Sequence, residues 1–176
     1  MRIAIIVAAA LGGSAAPAAE PRPQPVPVQS LSFEASSWGK PLSAWTIERS
    51  GRGRYTASKA APSGNFHEYD LVTRSFEIGA ADYGRIETLL APARAHAGAG
   101  LPCELSITDQ VYGKVRWTGP AGVQEVAFNL GCVSKEVAPL YENFWQAEKL
   151  VESLAHSGSV VETREIRAPD SRPHGG

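Results

Sequence analysis

Residues 111–130 carry the pattern that most restricts the fold. Val111, Gly113, Val115 and Trp117 alternate with more polar neighbours, Gly119-Pro120-Ala121-Gly122 interrupts the run, and Val126, Phe128 and Leu130 resume it. Two period-2 runs around a Gly/Pro turn predict an antiparallel hairpin, because successive side chains of a strand point to opposite faces. Pairing Thr118 with Val123 sets Val115 against Val126, Gly113 against Phe128 and Val111 against Leu130 on one face, and Arg116 against Glu125 on the other. A slip by one residue would exchange the two faces, so apolar pairs on one side and an ion pair on the other specify this register.

The N-terminus decides how the only two cysteines, Cys103 and Cys132, are read. Arg2 is the only charge before Glu20, residues 3–13 are apolar, and Ala16-Pro17-Ala18 supplies the small residues a signal peptidase accepts. This predicts a signal peptide over residues 1–18. The apolar run is short of the roughly 20 residues needed to cross a bilayer. No cysteine stands at the cleavage point to take a lipid, so the mature chain is expected to have no membrane span and to be periplasmic or secreted.

In an exported chain two cysteines predict a disulfide, Cys103–Cys132. Were 104–109 a full strand of a simple meander, the two sulfurs would sit at opposite ends of the sheet, beyond the roughly 7 Å Cα limit for a bridge. The hairpin register puts Asp109 opposite Cys132, so residues 103–108 are expected to fold back as a loop or short edge piece. Closing a loop of about 30 residues contributes roughly 3–4 kcal/mol by chain entropy.

Elsewhere the hydrophobic period alternates between 2 and 3.6. Trp45 and Ile47, then Tyr55 and Ala57, alternate with polar residues around Gly51-Arg52-Gly53, predicting a hairpin with a three-residue loop that pairs Ser50 with Arg54. Residues 69–78 form a third strand. Asp82 is expected to cap a helix whose stripe is Tyr83, Ile86, Leu89 and Leu90 and which stops at Pro92. After the second hairpin, Ser134 opens a turn into a helix from Pro139, with Leu140, Phe144, Ala147, Val151 and Leu154 on one side and Gly158 beyond its end. The expected fold class is α+β: an antiparallel sheet with two helices packed on one face, built as a strand-then-helix pseudo-repeat.

The domain limits follow from composition. Residues 19–30 form a Pro-rich leader with proline at positions 21, 23, 25 and 27, a stiff extended spacer. Residues 31–158 form a single α+β domain, and 159–176, which end in Arg172-Pro173-His174-Gly175-Gly176, are expected to be a disordered tail.

With 17 basic against 18 acidic side chains there is no net field to gather a polyanion, so nucleic acid is excluded as main partner. Four His, two Cys and one Met are scattered, and no Gly-x-Ser-x-Gly, His-Glu-x-x-His, phosphate-cradling Gly loop or Cys-x-x-Cys occurs. No catalytic residue, metal or cofactor is assigned. A candidate pocket joins His67 and Tyr69, at a strand entrance, with Asp109 and Tyr112 near the disulfide; it would serve a small hydrolase or ligand-binding protein. A candidate binding surface comprises Trp38, Tyr141 and Trp145, which lie outside the core-forming stripes, with Arg52 and Arg54 at the first hairpin turn.

The Gly51-Arg52-Gly53 turn, Ile107-Thr108-Asp109, Leu130-Gly131-Cys132 and the terminal helix together resemble small exported bacterial proteins of unknown function. The resemblance implies an envelope address and carries no catalytic residue. The expected function is an exported, disulfide-stabilised binding or accessory domain of the cell envelope, contacting a protein or envelope component.

Overall fold

Leu31, Phe33 and Ala35 alternate with Ser32, Glu34 and Ser36, and in the computed structural model, which describes residues 27–167, this run is the first strand of a sheet. The elements in order are β1 (Ser30–Ser37), β2 (Lys40–Glu48), β3 (Arg52–Ala60), β4 (Tyr69–Glu77), α1 (Ala80–Arg94), β5 (Leu105–Ser106), β6 (Tyr112–Gly119), β7 (Gly122–Asn129), β8 (Cys132–Val133), α2 (Ala138–His156) and β9 (Ser159–Ile166). Seven strands form one sheet in the order β7-β6-β1-β2-β3-β4-β9, every neighbouring pair antiparallel. The α+β class is borne out.

One face of the sheet meets the helices and holds the core. Leu31, Ile47, Val115, Trp117 and Val126 are buried there against Ile86 and Leu90 of α1 and Phe144 and Val151 of α2. A row of rings runs Trp45, Phe33, Phe128, Phe144, with centroids 5.7, 5.5 and 5.2 Å apart. Phe128 reaches Phe33 across β6 because residue 113 is glycine: a Cβ there would lie 2.7 Å from the Phe128 ring and inside contact distance of the Glu34 carbonyl oxygen. The missing side chain is therefore a packing requirement. The opposite face is polar, with Arg116 bonded to both Glu34 and Glu125, and Lys114 to Glu125.

The β6–β7 hairpin has the expected register, including Val115 opposite Val126, Gly113 opposite Phe128 and Arg116 opposite Glu125. The disulfide joins Cys103 and Cys132, with Cα atoms 5.1 Å apart. β5 is the short edge piece that lets Cys103 reach, pairing Ser106 with Cys132 and Leu105 with Val133.

Five expectations are corrected. The first hairpin keeps a three-residue loop but places it at Arg49-Ser50-Gly51: Ile47 pairs with Gly53, and Trp45 with Tyr55. Gly51, at φ 94°, takes the left-handed position and donates its N–H to the Glu48 carbonyl, so it and not Gly53 is the turn glycine. Helix α1 starts from Gly79 with no side-chain cap, holds Asp82 within its first turn, and continues through Pro92 to Arg94. A proline so near the C-terminal end sacrifices one bond of the ladder and is tolerated. The domain extends past both expected limits. Val28 is buried and Gln29 donates to the Thr118 carbonyl at 2.7 Å, while residues 159–166, expected in the tail, form β9 against β4. The proposed signal peptide, the prolines before Pro27 and residues 168–176 lie outside the described residues.

Candidate binding surface

A two-residue loop, Trp38-Gly39, joins Ser37 to Lys40 across the β1–β2 hairpin. Both residues have positive φ, 52° and 75°, the combination that matches the right-handed twist of the flanking strands and that Asn-Gly fills most readily. A non-glycine residue in this region is strained, and burial offsets little of that strain, because Trp38 is 67% exposed.

The residues around Trp38 are tied down. The Gly39 N–H donates to the Tyr112 hydroxyl at 3.2 Å, fixing the loop to β6. The Lys40 ammonium lies 4.9 Å from the Phe66 ring centroid and 4.8 Å from that of Tyr69, fixing it to the β3–β4 connection. Trp38, Phe66 and Tyr112 are all exposed at this end of the sheet. Lys40 and Phe66 belong to the surface and lay outside the sequence prediction; Lys40 sits on no apolar stripe, and its partners come from a different hairpin.

The other predicted residues disperse. Tyr141 is half-buried, packs on Phe144 and donates its hydroxyl to the Asn129 carbonyl at 2.8 Å, so it widens the core stripe of α2. Trp145, on the same helix, is 39% exposed. Arg52 and Arg54 lie toward the opposite end of the strands from Trp38, on the helix-free face. They line a groove of about 440 Å³ with Thr46, Glu48, Ser75 and Glu77. Arg52 is bonded to Glu48 at 2.7 Å and Arg54 lies 3.9 Å from Glu162, so the groove is charge-balanced and offers no excess positive charge to an anion.

The predicted pocket is divided. His67 is exposed beside the edge of Phe66, and Tyr69 begins β4. Tyr112 begins β6, four strand positions away in the sheet, roughly 19 Å at the usual interstrand spacing. Asp109, at φ 66°, accepts a bond from the neighbouring Thr108 hydroxyl in an exposed turn. Tyr69 and Tyr112 share an end of the sheet but stand on strands that are not neighbours.

Sequence reasoning missed the one deeply buried carboxyl among the described residues, Glu148 of α2, which is 6% exposed. Trp45 Nε1–H donates to one of its oxygens at 2.7 Å and the Tyr55 hydroxyl to the other at 3.1 Å. Desolvation pushes its pKa up, while hydrogen bonds from Ser43, Trp45 and Tyr55 oppose the rise. Burial together with the same carboxylate also pushes the Tyr55 hydroxyl up. Its signal was available: position 148 falls four after Phe144 and three before Val151, inside the apolar stripe. With every donor facing Glu148 coming from the sheet, the arrangement docks α2 onto β2 and β3. No helix of the described residues is long and apolar enough to cross a membrane. No protein-family model matches the chain, and no curated protein matches its sequence.

Proposed function

We propose that the chain is an exported binding domain that engages a protein or envelope component through the aromatic end of its sheet, with Trp38 as the central contact. The observation that carries this reading is Trp38 itself: an exposed indole in a strained turn that an asparagine would fill at lower cost, on a backbone fixed from both sides. Strain of this kind persists where a side chain is needed for contact, and tryptophan is among the residues that dominate binding energy. The disulfide supports an oxidising compartment outside the cytoplasm, periplasmic or secreted. The predicted acid/base residues lie apart, which weakens a hydrolase reading.

The test compares the mature domain with Trp38→Asn. Immobilised wild-type domain should retain a defined component of the envelope fraction from its own host, and Trp38→Asn should lose it while keeping its circular dichroism spectrum. Equal retention by both would overturn the assignment of Trp38. Intact mass of the exported protein tests the compartment: a chain beginning near residue 19 is expected, and a full-length chain would remove the export reading.

A further inference from the structure

Among the described residues strand β9 is an edge: it pairs with β4 on one side, and residues 159–165 are all exposed. Its outer row of N–H and C=O groups is a template for another strand. We propose that β9 pairs antiparallel with β9 of a second copy of this chain about a twofold axis through Thr163, joining the two sheets edge to edge.

The register follows from the side chains. A twofold axis across an antiparallel edge passes through one residue and its copy, so the pairing is set by which residue lies on it. With Glu162 on the axis, two carboxylates face each other; with Arg164 there, two guanidinium groups do. With Val161 there, Val160 falls opposite Glu162. With Thr163 on the axis, Glu162 faces the partner's Arg164 and Arg164 faces the partner's Glu162, giving two opposite-charge pairs on the helix-free face. Thr163 then faces its own copy, a favourable cross-strand pair. The chemistry therefore admits a second copy in one register and disfavours the neighbouring ones.

Two further contacts suit this arrangement. Arg167 is bonded to Asp70 and Glu165 at 2.9 and 3.0 Å, which holds the end of β9 on its own sheet. The bulge opposite Thr73 and Arg74 makes Val161 an extra residue in the strand and limits the ladder to about the 161–165 stretch. So short a ladder predicts a concentration-dependent dimer and not an obligate one.

The experiment measures mass in solution by sedimentation over a concentration series of the oxidised mature protein. Wild type should shift from monomer toward dimer, and Glu162→Lys or Arg164→Glu alone should each abolish the shift. The double variant Glu162→Lys/Arg164→Glu, which exchanges the charges, should restore it; this rescue shows that the single variants were folded and that the register is the one proposed. In addition, Thr163→Cys should form an intermolecular disulfide on mild oxidation while Glu165→Cys alone should not, since only position 163 meets its own copy. A wild type that stays monomeric throughout, or single variants that dimerise as well as wild type, would overturn the proposal. The outcome is independent of whether Trp38 binds a partner, because the two sites are read by different variants.

Discussion

The Trp45 indole N–H and a Glu148 carboxylate oxygen are 2.7 Å apart, joining strand β2 to helix α2 inside the core. Because the folded-state pKa of Glu148 is raised from 4.5, the folded protein favours the protonated form more than the unfolded chain does. Stability from this group is intact at low pH and is lost as pH rises from about 4.5 through the raised value. Thermal melts from about pH 5 to about pH 8 should therefore fall for wild type relative to Glu148→Gln, which cannot ionise. Parallel curves for the two proteins would refute the assignment. Glu148→Leu, which leaves the Trp45 and Tyr55 donors unpaired, should cost about 2–3 kcal/mol at neutral pH.

Trp38→Asn should raise stability even as it removes the proposed contact. Relief of a left-handed non-glycine residue contributes about 1 kcal/mol, and for a chain of this length that is roughly 2–4 °C in Tm. A lower Tm for the variant would mean that the indole packs usefully where it stands.

Replacing both cysteines by serine should lower stability by about 3 kcal/mol in denaturant titrations. The loss should begin locally: the Ile107 N–H donates to the Gly131 carbonyl at 2.7 Å within the β5–β8 segment that the disulfide closes. Hydrogen exchange at Ile107 should accelerate on reduction under conditions where Val115 stays protected.

Gly113→Ala should be strongly destabilising, by about 3 kcal/mol or more, because the added methyl meets both the Phe128 ring and the β1 backbone. Gly64→Ala places its methyl in open space and so serves as a control for packing, although its positive φ adds a small backbone cost. Equal melting temperatures for Gly113→Ala and wild type would contradict the ring crossing at residue 113.

The sequence alone determined whatever local patterning can encode. Alternation over 111–130 specified a register, that register and the disulfide together specified the fold-back of 103–108, and the 3.6 period from Leu140 specified the buried side of α2. A period states which face a residue takes, but it is silent about which strand lies alongside. The β1–β6 pairing, which sets Leu31 opposite Trp117, joins segments about eighty residues apart and was decided only in three dimensions. Strand β9 escaped notice for a related reason: with both faces largely exposed it has no apolar alternation to read. Glu148 is acceptable in the core only because Trp45 and Tyr55 arrive from two other strands to bond it, and the Trp38 surface exists only because Tyr112 and Phe66 converge on one turn. Burial of a charge and assembly of a surface depend on partners remote in sequence, and those partners are supplied by tertiary packing.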